Sequence, residues 1–299
     1  MATGRSLLSR LQEPKLNLGL RLMARILAFS SYVASGHVGL AAVVPALQRL
    51  GHEVIALPSV VLSNHLGHPH WAGRPVPVED LSLMLGALER NGQLDGLDAI
   101  LTGFLPSSGH VALAAKTVLH VRERISDLVF LCDPVLGDEP GGLYIEPSAA
   151  RAVARELTPL ATYLTPNRFE AEFIFGAAND AAWPGVPATA AALPPSCRLL
   201  TVTSAELRED RLTSRCLTRE FSCECEVPYR LEVAHGTGDL FAALLLGHVL
   251  NGIGEREAFG RAVAGVEVAI AMSEGRDELA LVASLESIAK AKAWTTCPA

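Results

Sequence analysis

The sequence predicts a single α/β domain built on a mostly parallel β-sheet with helices on both faces. Short, almost entirely apolar segments alternate along the chain with longer segments of helical periodicity. Strands that are apolar on both sides are typical of parallel sheets covered by helices on both faces. The 49% share of hydrophobic residues supplies a large core, and 299 residues fit one large domain of this class.

The apolar segments are the predicted strands, and the periodic segments between them are the predicted helices. The predicted strands are 26–31, 53–58, 98–104, 128–132, 163–165 and 198–203. The predicted helices are 38–50, 78–90, 111–124, 149–157, 169–175, 240–251 and 256–273. The His-, Pro- and Gly-rich residues 63–78 are a predicted loop, and the Pro- and Ala-rich residues 181–195 a loop with a short helix.

Composition and charge exclude several classes of function. A net charge of −7 argues against a nucleic acid as partner. No apolar run reaches the length of a membrane span. A secretory signal has an uninterrupted apolar segment, whereas charged residues interrupt every apolar stretch before residue 25. We therefore expect a cytoplasmic protein with six reduced cysteines. Residues 1–22 are predicted to be a disordered extension of a domain over 23–299, with an amphipathic targeting peptide as the alternative.

Polar residues lie at the carboxyl ends of most of the predicted strands. In sheets of this kind, ligands bind beyond the carboxyl ends of the strands. We expect these residues to lie around one site. They are Ser30, Ser31, Thr102, Asp133, Asn167, Thr203 and Ser204.

The segment Gly236-Thr237-Gly238-Asp239 precedes a long apolar helix. Its glycines leave backbone N–H groups accessible, and the positive end of the helix dipole points to the same place, which favours an anion such as phosphate. A carboxylate at Asp239 can accept a proton from an attacking hydroxyl group beside that anion. The alternative is a helix-capping Asp after a glycine turn.

Two further segments place oxygen ligands near this site. Asn167 and Glu170 share one face of a helical turn and can hold Mg²⁺, mostly through water, next to a nucleotide. The pair also has the spacing of a capping box, and both interpretations are compatible. Asp133 follows a buried strand directly and is a candidate for organising cations and phosphate, with a turn-forming Asp as the alternative.

Other catalytic and metal-binding patterns have little support in the sequence. It contains no G-x-x-x-x-G-K-[ST] loop, no protein-kinase signature and no G-x-S-x-G elbow. Cys223 and Cys225 lack a second pair at zinc-site spacing. His68-Pro69-His70 is a possible metal pair, but we interpret it as polar surface.

Six segments, in order, resemble the ribokinase superfamily and, within it, the pyridoxal kinases. Together they extend over about residues 26–290. The segments are Ser31 with Gly36-His37-Val38-Gly39, Ser59-Val60-Val61-Leu62-Ser63-Asn64-His65, Leu101-Thr102-Gly103-Phe104, Cys132-Asp133-Pro134-Val135-Leu136-Gly137-Asp138, Thr165-Pro166-Asn167-Arg168-Phe169-Glu170-Ala171-Glu172, and Gly236-Thr237-Gly238-Asp239-Leu240-Phe241-Ala242-Ala243.

The resemblance implies a ribokinase-like fold and a homodimeric enzyme that phosphorylates the 5′-hydroxymethyl group of pyridoxal in vitamin B6 salvage, with pyridoxine and pyridoxamine as candidate further substrates. It implies ATP, Mg²⁺ and often K⁺ as cofactors. By position, it implies Asp239 as catalytic base and Gly236, Thr237 and Gly238 as anion hole. It implies ATP contacts at Asn167, Thr203, Ser204, Asp133 and Tyr144, metal binding at Glu170 and Asp133, and substrate contacts at Ser31, Leu66 and Phe104.

Three positions depart from the pattern that this resemblance sets. Leu66 stands where many members have Thr, and Phe104 where many have Tyr, and each missing hydroxyl removes a hydrogen bond worth about 1 kcal/mol. His235 stands where an apolar residue is usual. The alternatives are a kinase of the same superfamily acting on hydroxymethylpyrimidine or a sugar, and a B6-vitamer-binding protein without turnover. The sugar-kinase Gly-Gly and Asn pair is missing, and a pure binder has no need of Asp239.

Overall fold

A computed structural model of the protein describes residues 23–177 and 193–298. Twelve strands are found in this part of the chain. They are β1 (Arg25–Val33), β2 (Glu53–Leu62), β3 (Gly73–Pro75), β4 (Ala99–Thr102), β5 (Val129–Cys132), β6 (Gly137–Asp138), β7 (Gly142–Leu143), β8 (Tyr163–Leu164), β9 (Leu199–Arg208), β10 (Arg211–Leu217), β11 (Ser222–Pro228) and β12 (Cys297–Pro298).

Ten of the strands in the described residues form one mostly parallel sheet. Its order is β12-β11-β10-β9-β8-β5-β4-β1-β2-β3, and β6 and β7 pair only with each other. The central run from β9 to β2 is parallel throughout. The strands outside this run are antiparallel.

Helices lie on both faces of the sheet. The described residues contain eight α-helices, which are α1 (Leu40–Arg49), α2 (Val78–Arg90), α3 (Ser108–Arg122), α4 (Pro147–Ala152), α5 (Arg168–Ala177), α6 (Thr237–Leu250), α7 (Glu255–Met272) and α8 (Leu281–Lys290). Alternate residues of each central strand face opposite helical layers. Ile26 and Ala28 pack in the core shared with α1, α6, α7 and α8, whereas Leu27 and Phe29 pack in the core shared with α2 to α5.

The predicted fold class is confirmed by this arrangement, and most predicted elements are found within a few residues. One predicted helix, 149–157, is only partly α-helical, because α4 continues as a π-helical turn at Val153–Leu157 and a 3₁₀ turn at Thr158–Leu160. The Thr158 hydroxyl donates to the Val153 carbonyl oxygen and supports the wider turn. Residues 1–22 and most of 181–195 lie outside the described part of the chain.

Several elements of the described chain were not predicted. They are β3, the β10–β11 hairpin, α8, β12 and the small β6–β7 hairpin. The strand predicted at 198–203 also continues to Arg208. No helix among the described residues combines the length and apolar character needed to cross a membrane.

Candidate active site

The polar residues predicted to lie together do meet at one edge of the sheet. The carboxyl ends of β4, β5 and β8 are adjacent there, since these parallel strands are neighbours with β1 and β9 on either side. Asp133 follows β5 and Asn167 follows β8. Ser31 lies in β1, where the pairing of β1 with β2 is irregular. Such an irregularity changes the direction of the strand locally.

Asp239 lies in the first turn of α6 and faces this edge. Its carboxylate accepts a hydrogen bond from the Gly39 backbone N–H. A Cβ atom added to Gly103, directly after β4, would lie 3.8 Å from Oδ1 of Asp239. Burial raises the pKa of Asp239 to about 6, and the Gly39 hydrogen bond opposes this shift only in part. A carboxylate with a pKa near neutrality is well suited to act as a general base.

The N-terminus of α6 is an uncapped turn formed by Gly236, Thr237 and Gly238. No side chain caps it, so its first N–H groups are available to an anion. Gly238 has open space where a side chain would stand, which leaves room for a ligand. Gly236 has a φ of 97° and packs against the His37 carbonyl oxygen, so only glycine fits there.

Substitution of Gly236 by Ala is expected to destabilise the protein by about 1–3 kcal/mol more than the same change at Gly252. Both glycines have positive φ, 97° and 77°, so backbone strain is common to the two variants. A Cβ at Gly236 would overlap the His37 carbonyl oxygen, whereas Gly252 has nothing within 4 Å. Chemical denaturation measures the difference, and equal losses would show that the close approach to His37 is relaxed easily.

The carboxylates of Asp133, Glu170 and Asp239 form an acidic cluster. Asp133 is buried, and its Oδ1 accepts a hydrogen bond from the Thr165 hydroxyl at 2.7 Å. Burial first, and then the charges of Glu170 and Asp239, raise the pKa of Asp133 well above its usual value. Asp133 thus connects Asp239 electrostatically to the Asn167–Glu170 turn.

Asn167 and Glu170 form a reciprocal capping box at the start of α5. The Glu170 N–H donates to Oδ1 of Asn167 at 2.9 Å, and the Asn167 N–H donates to Oε2 of Glu170 at 2.8 Å. Oε1 of Glu170 also accepts the Leu136 N–H at 2.9 Å. Burial raises the pKa of Glu170 to about 8 despite these backbone hydrogen bonds. The capping interpretation is therefore confirmed, and it leaves a role in metal binding open.

The candidate nucleotide contacts lie around the same turn. Thr203 pairs with Asn167 in an isolated parallel bridge, and its N–H donates to the Pro166 carbonyl oxygen at 3.0 Å. Ser204 has a φ of 50° and lies where β9 bulges against β10. Tyr144 follows the β6–β7 hairpin and is 48% exposed, and burial and a hydrogen bond with Asp138 raise its pKa.

The candidate substrate contacts are more spread out. Ser31 packs against Gly39, the residue whose N–H holds Asp239, so Ser31 lies next to the candidate base. Phe104 is half-buried, and its N–H donates to Oγ of Ser30 at 3.0 Å. Leu66 is 47% exposed in the loop after β2. Ser31 and Phe104 therefore border the site, and Leu66 lies in an exposed loop.

Comparison with known proteins identifies the family. The family model described as phosphomethylpyrimidine kinase matches residues 54–280. A pyridoxal kinase of Rubrobacter xylanophilus is 35% identical over 88% of this chain and 93% of its own length. One of Corynebacterium diphtheriae is 30% identical over 88% of this chain and 95% of its own length. The chain belongs to the pyridoxal kinase family.

Solved structures agree with this membership in the pyridoxal kinase family. Pyridoxal kinase of Leishmania donovani in complex with ADP and pyridoxamine matches with a TM-score of 0.79 and 28% identity, over 92% of this chain and 99% of that one. Pyridoxal kinase of Entamoeba histolytica matches with a TM-score of 0.81 and 23% identity, over 93% of this chain and all of the other. The ribokinase-like fold predicted for a pyridoxal kinase is thus confirmed.

Two contacts of this pyridoxal kinase family member were not found from sequence. The Gly39 N–H that holds Asp239 belongs to a motif used for the resemblance, but its partner lies far away in the sequence. Thr165, the hydroxyl donor to Asp133, was seen only as the start of the Asn167 segment. Each contact joins residues from elements that are distant in the sequence, so local spacing carries no signal for it.

Proposed function

We propose that this protein transfers the γ-phosphoryl group of ATP to the 5′-hydroxymethyl group of pyridoxal. The observation that carries the proposal is the position of Asp239. Its carboxylate lies at the uncapped N-terminus of α6, on the same sheet edge as Asp133 and the Asn167–Glu170 turn. A general base, an anion site and oxygen ligands are the parts that phosphoryl transfer to an alcohol requires.

The side chains have distinct tasks in this mechanism. Ser31 orients the pyridine ring so that the hydroxymethyl oxygen faces Asp239. Asp239 has a pKa of about 6 and is therefore ionised at neutral pH. Its carboxylate accepts the hydroxyl proton late in the attack. The N–H groups of the Gly236–Gly238 turn hold the transferring phosphoryl group, on which negative charge is spread over three oxygens. Asn167, Thr203, Ser204 and Tyr144 contact the nucleotide.

The acidic cluster fits a divalent cation. Asp133, Glu170 and Asp239 are close enough for two of them to raise the pKa of Asp133, and a cation relieves such repulsion. Asp133 would hold Mg²⁺ directly and Glu170 through water, since backbone N–H groups already occupy both Glu170 oxygens. Bound Mg²⁺ supplies charge neutralisation on the ATP phosphates. K⁺ and a homodimer remain predictions from the resemblance, and a cytoplasmic location remains a prediction from the sequence.

An acceptor panel tests the proposed function. We expect kcat/KM for pyridoxal to exceed that for hydroxymethylpyrimidine by at least about tenfold, the scale set by a change of one pocket contact. Hydroxymethylpyrimidine belongs in the panel because the matching family model is described as a phosphomethylpyrimidine kinase. ATP consumption and the mass of the phosphorylated product are measured together for pyridoxal, pyridoxine, pyridoxamine, hydroxymethylpyrimidine and a hexose.

The panel separates the alternatives. If the protein prefers hydroxymethylpyrimidine, the proposed substrate is wrong, but the proposed phosphoryl transfer to an alcohol still holds. Pyridoxal binding without any phosphorylated product would contradict the kinase proposal and favour a vitamer-binding protein. Leu66 and Phe104, which lack the hydroxyls common in the family, are the positions at which either result would be pursued.

A further inference from the structure

Three side chains outside the phosphoryl-transfer site converge on one point. They are His65 and His68 in the loop after β2, and Glu278 before α8. Nε2 of His68 lies 3.0 Å from Oε1 of Glu278, and Nε2 of His65 lies 3.3 Å from the same oxygen. One ligand atom from each residue falls within 4.8 Å of the other two. Two imidazoles and a carboxylate therefore face each other across two loops.

The Nε2 atom of the His65 imidazole lacks the hydrogen-bond partner that a buried polar atom requires. Its side chain is only 10% exposed, and Nε2 makes no hydrogen bond, although it lies close to Glu278. Native proteins rarely leave a buried polar atom unsatisfied unless an ion or water satisfies it. The unsatisfied atom points at the same carboxylate oxygen that His68 contacts. The group that completes His65 would thus sit between all three residues.

We propose that His65, His68 and Glu278 bind a divalent transition-metal ion, with Zn²⁺ as the probe of choice. Tetrahedral Zn²⁺ with bonds of about 2.0–2.1 Å places its nitrogen and oxygen ligands roughly 3.3 Å apart. The two measured separations, 3.3 and 3.0 Å, are close to this value. Imidazole favours zinc over Mg²⁺, which prefers oxygen ligands, so this site is chemically distinct from the acidic cluster.

His235 and Gly67 are the neighbours of His65 at the proposed site. The His235 ring packs against the His65 ring at a tilt of 40°, with centroids 4.3 Å apart, and covers one side of the cluster. The Gly67 N–H donates to Nδ1 of His65 at 3.1 Å. Ligation through Nε2 places the ring proton on Nδ1, and Gly67, which is exposed, then turns its N–H to water. Metal binding therefore competes with one exposed hydrogen bond.

The bound ion would connect the loop after β2 to the segment before α8. That loop carries Leu66, and Glu278 also accepts the His37 N–H at 3.3 Å, next to the carbonyl oxygen that packs on Gly236. The ion would thus fix the loops around the site without entering the phosphoryl transfer. The inference goes beyond the proposed function and does not depend on it.

Calorimetric titration of Zn²⁺ into the chelator-treated full-length protein tests the proposal. We expect one Zn²⁺ per chain, and a dissociation constant at least about tenfold weaker in His68→Ala, since even outer-shell changes at metal sites cost 10–100-fold. His70→Ala is the matched control, because His70 lies in the same loop, is exposed and is not part of the cluster. Glu278→Gln provides a second, independent loss of a ligand.

Co²⁺ substitution identifies the ligands. Tetrahedral Co²⁺ bound by imidazole and carboxylate shows visible d–d bands without the near-ultraviolet thiolate charge-transfer band. That band would assign the metal to cysteines such as Cys216, Cys223 and Cys225 and overturn the proposal. Zn²⁺ affinity that is unchanged in both His68→Ala and Glu278→Gln, or no binding to the wild-type protein, would also overturn it.

Discussion

Replacing Asp239 with Asn is expected to lower turnover on pyridoxal by at least about a hundredfold, the lower scale for loss of a general base. Asn retains an oxygen acceptor for the Gly39 N–H, so the local geometry is preserved. In the wild-type enzyme, kcat/KM should rise with pH through about 6, because Asp239 must be ionised to accept the proton. Steady-state kinetics at several pH values measure both effects.

The same variant should not lose stability. The folded protein raises the pKa of Asp239 from 3.8 to about 6, so its ionised form opposes folding above that pH. Asn removes this cost, and the free energy of unfolding at neutral pH should stay equal or rise by at most about 3 kcal/mol. A variant with near-normal turnover would remove Asp239 from the mechanism, and a variant that unfolds would contradict the predicted stability.

Asp80→Asn is the matched control for this experiment. Asp80 is the third residue of α2, as Asp239 is the third residue of α6, so both carboxylates lie near a helix N-terminus. Asp80 is exposed on α2, which packs on the face of the sheet opposite to α6. We expect the control to change stability by less than about 1 kcal/mol through the helix dipole and to leave turnover unchanged.

The central sheet could be predicted because its strands are apolar on both sides. Ile26 to Phe29 are all buried, with successive residues serving opposite cores, so the segment appears in the sequence as one continuous apolar run. Helices such as α2, predicted with both ends correct, keep an apolar face toward the sheet. Where the core alone decides the structure, local pattern is sufficient.

The β10–β11 hairpin shows where local pattern is insufficient. One face of the hairpin carries ion pairs, and Arg215 and Glu224 pair across the two strands, with Nε of Arg215 2.8 Å from Oε1 of Glu224. Cys216 and Cys223, opposite each other, are buried. The spacing of Cys223 and Cys225 was the available strand signal. The ion pairs that make the charged side stable join residues from different strands and cannot be found from either strand alone.

The same distinction decides which site residues could be predicted from the sequence. Residues whose task depends on the local chain, such as Gly236 with positive φ and the Asn167–Glu170 capping box, could be identified from spacing. Contacts made between strand ends, such as Thr165 with Asp133, could not. The histidines show the limit most clearly. From the sequence, His68-Pro69-His70 is interpreted as polar surface, whereas the fold brings His68 to Glu278, 210 residues away along the chain.

Raising the pH without Mg²⁺ should destabilise the wild-type protein. Glu170, with a pKa raised from 4.5 to about 8, and Asp133, with a pKa raised well above 3.8, bind protons more tightly in the folded than in the unfolded chain. The free energy of unfolding therefore falls as the pH rises from about 4 to 8, and it rises again when the pH is lowered. Because one pKa unit corresponds to about 1.4 kcal/mol, we expect a loss on the order of 3 kcal/mol from the cluster.

Asp133→Asn isolates the part of this loss that the cluster causes. The substituted amide has no charge to titrate and still accepts the Thr165 hydroxyl hydrogen bond, so the variant should match the wild type near pH 4 and exceed its stability near pH 8. Asp127→Asn, an exposed change at the other end of β5, should retain the wild-type pH dependence. Denaturation curves over this pH range measure all three proteins, and parallel profiles for wild type and Asp133→Asn would contradict the prediction.

Mg²⁺ adds the decisive comparison, because a cation that binds the ionised carboxylates stabilises the folded state when they are charged. With Mg²⁺ and ATP present, the wild type should regain stability near pH 8, whereas Asp133→Asn should gain less, since it lacks the carboxylate proposed to hold the ion directly. Turnover of Asp133→Asn should then require a Mg²⁺ concentration at least about tenfold higher. An equal gain in both proteins would place the cation away from Asp133 and leave the repulsion in the cluster to be relieved by another group.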